Sequence, residues 1–168
     1  MTPEFSHRIA LSEIGIERLV SIAADQAECA ALAKRLGIEG IEALSATVEI
    51  GARAAGIEAR GTVSARVTQS CVASGEPVEQ AIDEPFDILF VIPGSISGDE
   101  IELSAEECDQ IEHDGLAIDL GEAAAQTLAL ALDPFPRASQ AEVVLAKAGV
   151  VAEGGEAVGP FAALKGLK

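Results

Sequence analysis

Apolar and polar residues alternate with a period of two along residues 57–68. Ile57, Ala59, Gly61, Val63, Ala65 and Val67 fall on one side, and Glu58, Arg60, Thr62, Ser64, Arg66 and Thr68 on the other. That pattern predicts a half-buried antiparallel strand within an extended segment from Ile57 to Val72. A preceding extended segment, Ile41 to Ala54, joins it through Ala55-Gly56, where glycine suits a hairpin turn. Val78 to Ile92 reads as a further strand with Phe86, Ile88 and Phe90 facing one way. Pro85 should interrupt it or mark an edge, since proline cannot donate to a ladder. Nearer the start, Phe5 to Leu11 and Ile16 to Ile22 suggest two more strands, the second with Ile16, Val20 and Ile22 in step.

Helical signals occur at two places. Asp25-Gln-Ala-Glu28 has the form of a capping box, in which a side-chain acceptor and a carboxylate three residues later satisfy unpaired backbone donors. An Ala/Leu-rich run follows, ending in Lys34, Arg35 and Gly37, which suit the negative end and the left-handed cap of a helix. Asp119-Leu-Gly-Glu122 is a second such box, opening a helix from Ala123 to Leu132 that aligns Leu120, Ala124, Leu128 and Leu132. Pro134 and Pro136 stop it. Pro93 to Asp114 is acidic and glycine-punctuated, and reads as a long loop with a short helical turn at Ser104 to Glu107. Beyond Arg137 no periodicity survives, although Pro160 to Leu164 could dock or engage a partner. The expected architecture is α+β: a mainly antiparallel, curved sheet with two principal helices and a flexible C-terminal tail. Residues 1–137 form the domain, and residues 138–168 a loosely ordered tail.

Composition narrows the function classes. The chain has 168 residues, 49% hydrophobic, with no Trp or Tyr, so the five Phe (Phe5, Phe86, Phe90, Phe135 and Phe161) are the large anchors of an aliphatic core. No apolar run approaches the roughly 20 residues needed to span a bilayer. Met1-Thr-Pro-Glu-Phe-Ser lacks the features of a secretory signal, so the expected location is cytoplasmic with no membrane partner. Cys29, Cys71 and Cys108 lack paired spacing and are expected as small buried residues. With only His7 and His113 beside them, a zinc site would need distant residues brought together. Neither phosphate-binding glycine motifs, nor a calcium loop, nor an activated nucleophile can be identified. The expectation is a non-enzymatic protein with no cofactor. A metal-dependent hydrolase using clustered carboxylates is a rival that stoichiometric metal after mild purification would revive.

Charge is the strongest bulk feature. Eleven Lys and Arg against 28 Asp and Glu give a net charge of −17. Between Arg66 and Arg137 there is no cation, while sixteen acids run from Glu76 to Asp133. Such a region repels a phosphate backbone and attracts basic partners. Direct RNA contact would have to use Arg53, Arg60 and Arg66, or Lys147, Lys165 and Lys168.

Three ordered segments together resemble the YceD-like family of large ribosomal RNA subunit accumulation proteins. The first is Val67-Thr-Gln-Ser-Cys-Val-Ala-Ser-Gly-Glu-Pro77, similar to the family's Gln-x-Cys strand and Glu-Pro turn. Glu84-Pro-Phe-Asp-Ile-Leu-Phe90 resembles its acidic-aromatic strand. Ile118-Asp-Leu-Gly-Glu122, continuing to Asp133-Pro-Phe-Pro-Arg137, resembles its acidic cap, Ala/Leu helix and Pro-x-Pro stop. The ending Pro160 to Lys168 is similar to the tail of proteobacterial members. The resemblance implies a bacterial ribosome-biogenesis role in rRNA accumulation with no established catalysis. The candidate partner-binding residues in these blocks are Cys71, Glu76, Pro77, Glu84, Phe86, Asp87, Asp119, Glu122, Pro134 and Arg137. Asp119 and Glu122 also have a sufficient role in capping alone. Some relatives carry a second cysteine three residues after the first; Ser74 stands there in this chain, so a thiol pair or metal site does not carry over. Combined with the charge, the expected partner is a basic ribosomal protein or assembly factor, with indirect association with rRNA. Direct rRNA binding or processing is the alternative.

Overall fold

The computed structural model describes residues 3–93 and 109–150. A short strand β1 (Arg8–Ala10) leads through a 3-10 turn at Leu11–Glu13 into β2 (Arg18–Ala23). Helix α1 (Gln26–Leu36) then returns the chain to the long strands β3 (Gly40–Arg53), β4 (Gly56–Ser70) and β5 (Pro77–Val91). Two short strands, β6 (Asp109–Glu112) and β7 (Ala117–Asp119), precede α2 (Leu120–Ala131) and α3 (Ala141–Lys147). The five-stranded sheet runs β2-β3-β4-β5-β6, and β1 pairs antiparallel with β7 in a small second sheet. The β2–β3 and β3–β4 pairs are antiparallel. The side-chain contacts Ser64–Asp83 and Arg60–Asp87 step in opposite senses along β4 and β5, as antiparallel neighbours do. Among the described residues only β6, beside β5, pairs in parallel. The fold is α+β.

The described residues form two compact units: one from Met1–Thr68 with Glu79–Leu132, the other from Gln69–Val78 with Asp133–Lys168. In the first unit, alternation along β3 and β4 sends Leu44, Val48, Ile50, Ala59, Val63 and Val67 inward. Leu32 of α1, Phe90 of β5, Ile118 of β7 and Leu120 and Leu128 of α2 complete the same core. Burying each of the larger aliphatic side chains stabilises the fold by about 1.5–3 kcal/mol. The opposite sheet face is polar; Ser21, Thr47 and Thr62 lie in one row, and Ser45 pairs with Ser64.

The first capping box forms as the sequence predicts. Asp25 Oδ1 accepts from the Ala27 and Glu28 N–H groups at 2.8 Å, while Glu28 Oε2 accepts from Asp25 N–H at 2.8 Å. Gly37 closes α1 at φ 68°.

Several expectations are corrected. Ile16 is 85% exposed and precedes β2, because Gly15 and Ile16 form the connection rather than the strand. Strand β5 runs through Pro85 without interruption. Among the described residues β6 pairs only with Ile88–Val91, so β5 has no strand on that side at Pro85, the edge setting that proline tolerates. The hairpin turn is Ala54-Ala55, with Gly56 already paired to Arg53. Gly56 is required for another reason: a Cβ there would collide with the Phe90 carbonyl oxygen of β5. In the second box Asp119 caps α2, but Glu122 turns away to Arg35.

Strands β6 and β7 were not expected, being too short to show a period. The predicted turn at 104–107 and the contacts of 160–164 lie outside the described residues, as do Cys108 and Phe161. Within the segment expected as a loosely ordered tail, Ala141–Lys147 forms α3. Of the Phe anchors, Phe5 and Phe90 are buried and Phe86 packs at the core's edge, but Phe135 is 70% exposed.

Candidate functional site

In the second unit the chain leaves β4 and turns over Cys71–Glu76. Cys71 N–H donates to the Glu76 carbonyl at 2.8 Å, and Gly75 N–H to the Cys71 carbonyl at 2.9 Å, with Gly75 at φ 73°. Against this turn lies the loop Asp133–Ala138. Gln69 Nε2 donates to the Asp133 carbonyl at 3.0 Å, Val72 N–H to the Pro136 carbonyl at 2.9 Å, and Ala138 N–H to Cys71 Sγ at 3.2 Å. Phe135 N–H donates to Asp133 Oδ1 at 2.8 Å, an Asx turn that holds the loop from within. Cys71 is buried and not disulfide-bonded. The Ala138 N–H and the Ser74 hydroxyl stabilise its thiolate and pull its pKa down to about 7. The Oε1 of buried Gln69 has no hydrogen-bond partner among the described residues.

This unit brings together five of the ten candidates. Cys71 is buried, while Glu76, Pro77, Pro134 and Arg137 are exposed. Gln69 and Phe135 were not among the sequence candidates, although Gln69 belongs to the Gln-x-Cys motif, two residues before Cys71.

Glu84, Phe86 and Asp87 lie on β5 in the first unit. With Asp109, Thr127 and Leu130 they line a cleft between that strand and the end of α2. Glu84 and Asp109 share the sheet face of the half-buried Phe86 ring there, beside Leu130, which is 83% exposed, whereas Asp87, next to Phe86 on the strand, turns its carboxylate toward the other face. Asp87 Oδ2 accepts from Arg60 Nε at 2.7 Å, and its Oδ1 is buried with no partner among the described residues. Chemically the cleft suits a long cationic side chain, with methylenes along Phe86 and Leu130 and the charged head at the acids. Asp109 and Leu130 were not among the sequence candidates, because they come from elements distant in the chain.

Asp119 and Glu122 serve the framework of the first unit. Asp119 Oδ1 accepts from His7, Gly121 and Glu122 N–H groups at 2.8, 3.0 and 3.2 Å, and Oδ2 from the Ser6 hydroxyl at 2.6 Å. Glu122 grips Arg35 of α1 with both oxygens at 2.7 and 2.8 Å, and Arg35 also reaches Glu4 at 2.9 Å. These bonds hold the Glu122 carboxyl below its ordinary pKa and raise that of Arg35. Both acids line an open cleft of ≈ 650 Å³ with Arg8, His113 and Asp114. The Ala117 and Leu116 N–H groups, then Arg8, draw the Asp114 carboxyl down to about 2.

The sheet arginines named for RNA contact each face carboxylates. Arg53 meets Glu58 at 3.0 Å and Glu17 at 3.4 Å, Arg60 meets Asp87 at 2.7 Å and Glu58 at 2.9 Å, and Arg66 lies 3.9 Å from Glu42. Lys147 ends α3, and Lys165 and Lys168 lie outside the described residues. Among the described residues no group of three His, Cys, Asp or Glu side chains is arranged to hold a metal ion. No helix there is long and apolar enough to cross a membrane.

No curated protein and no solved structure matches the chain. A family model described as large ribosomal RNA subunit accumulation protein YceD matches residues 59–168, well over half of the sequence. The match takes in most of β4, all of β5 and both helices that follow, together with the Cys71 turn, the Asp133–Ala138 loop and the acidic cleft. The chain therefore belongs to the YceD family of large ribosomal RNA subunit accumulation proteins.

Proposed function

We propose that this chain supports accumulation of large-subunit rRNA by binding, in the cytoplasm, a basic ribosomal protein or assembly factor through its acidic surface. The observation that carries this reading is the cleft at Glu84, Phe86, Asp87, Asp109 and Leu130, where carboxylates and apolar walls meet as a Lys or Arg side chain requires. The charge pattern agrees: a region with sixteen acids and no Lys or Arg steers basic proteins in and holds polyanions off. The sheet arginines are poor RNA contacts because each has a carboxylate within 4.0 Å that would have to be displaced. No catalytic step is assigned to the chain. By sequence kinship Glu76, Pro77, Pro134 and Arg137 contribute a second contact region beside Cys71.

The test is depletion of the protein in its own host, with rescue by the wild type and by Glu84→Gln/Asp87→Asn/Asp109→Asn. A rescued, selective fall in mature large-subunit rRNA relative to small-subunit rRNA is expected, with the triple variant failing to rescue at wild-type abundance. An unchanged ratio under full depletion removes the proposal, and full rescue by the triple variant removes the cleft from it.

A further inference from the structure

We infer that Phe135, at the apex of the Asp133–Ala138 loop, is an apolar anchor that seats in a hydrophobic pocket of a basic protein partner. The inference rests on the proposed reading of the chain as a receptor for basic proteins, and names the short-range contact which charge alone does not supply.

Singly exposed apolar residues are ordinary on protein surfaces, so exposure of Phe135 at 70% is not in itself informative. What distinguishes it is how it is held. Prolines flank it on both sides and fix their own backbone angles. The Asx turn from Asp133, the Gln69 amide, the Val72 N–H and the Cys71–Ala138 contact pin the loop from end to end. The Gln69 side chain spends its amide N–H on the Asp133 carbonyl, and its Oε1 is buried with no partner among the described residues. Pro134 and Pro136 end α2 whatever residue stands between them, so an apolar ring at 135 serves nothing in the helix terminus. Val72, 55% exposed, is bonded through its N–H to Pro136 and adds a second apolar side chain in the same unit.

A rigid, solvent-facing aromatic loses little conformational freedom on docking, as binding hot spots require. The class of partner follows from charge. At −17 the chain repels acidic proteins and attracts basic ones. A nucleic-acid platform would surround its stacking ring with an excess of cations, whereas the segments 69–78 and 133–168 carry four Lys or Arg against five Asp or Glu. Charge thus sets the encounter rate, and Phe135 sets the lifetime of the complex.

The experiment uses the full chain, wild type and Phe135→Ser, against individually purified basic proteins of the large ribosomal subunit from the same host, and against naked large-subunit rRNA. Association and dissociation rates are read at two salt concentrations, and far-ultraviolet circular dichroism confirms an unchanged melt. The expected result is salt-sensitive binding of at least one basic protein, with dissociation accelerated tenfold or more in Phe135→Ser while the association rate and its salt dependence stay the same. Dissociation within twofold of wild type overturns the anchor and leaves the proposed function standing. No binding of any basic protein by the wild type overturns both. Loss of rRNA binding in Phe135→Ser, with protein binding intact, overturns the inference in favour of a ring that stacks on bases.

Discussion

Replacing Asp119 by alanine should destabilise the first unit strongly although the residue is only partly buried. Its carboxylate accepts four hydrogen bonds: two from the first turn of α2, one from His7 N–H and one from the Ser6 hydroxyl. Loss of an N-cap costs about 1 kcal/mol. The bonds to residues 6 and 7 tie the N-terminal segment beside the β1–β7 pair, and bonds to a charged group contribute about 1.5–3 kcal/mol when well made. Solvent access reduces that second contribution, so we expect about 2–3 kcal/mol in all. For a chain of this length that is a fall in Tm of about 5–10 °C. Asparagine keeps one acceptor oxygen and caps helices as well as aspartate, so Asp119→Asn should lose only about 1 kcal/mol. With no Trp or Tyr to report by fluorescence, the assay is urea and thermal unfolding followed by far-ultraviolet circular dichroism. A loss below about 0.5 kcal/mol in the alanine variant, the range of ordinary surface substitutions, would refute the capping argument and return Asp119 to the partner-binding candidates.

Three further outcomes follow from the same geometry. Glu122→Gln breaks the pair with Arg35, whose side chains are 22% and 37% exposed, and should cost about 1 kcal/mol at neutral pH. Because the folded-state pKa of Glu122 is depressed, that contribution is present above the unfolded value of about 4.3 and is lost as pH falls through the folded one. Wild type and variant unfolding curves should therefore converge in acid, and an undiminished gap would contradict the assignment. The Cys71 thiol should titrate near pH 7 by thiolate ultraviolet absorbance, in a step missing from Cys71→Ser, while Cys29, raised by burial and by Asp25 and Glu28, should titrate later. Its contribution to holding the loop is present above the unfolded thiol pKa of about 8.5 and fades as pH falls through about 7. Finally, Gly56→Ala forces a methyl group against the Phe90 carbonyl and should cost about 1–3 kcal/mol, whereas Gly40→Ala, with open space around it, should stay within about 0.5 kcal/mol in urea unfolding.

Local chemistry decided much of this protein. Period-two alternation placed β4 and the inward set Ala59, Val63, Ala65 and Val67, because a strand's side chains alternate faces whatever its neighbours are. Asp25, Glu28 and Gly37 fixed the ends of α1, since caps act within a single turn. The family was legible too, as ordered blocks that the family model also spans. Tertiary structure decided what those signals leave open. Glu122 has the spacing of a capping-box partner, yet a bidentate arginine on another helix is a stronger attraction than one backbone N–H. Phe135 reads as a core residue by composition and is exposed, because only packing separates a buried ring from a presented one. Asp109 and Leu130 join Glu84, Phe86 and Asp87 in one cleft through the folding of distant segments. Such convergence depends on contacts across the fold, so no period, spacing or motif along the chain encodes it directly.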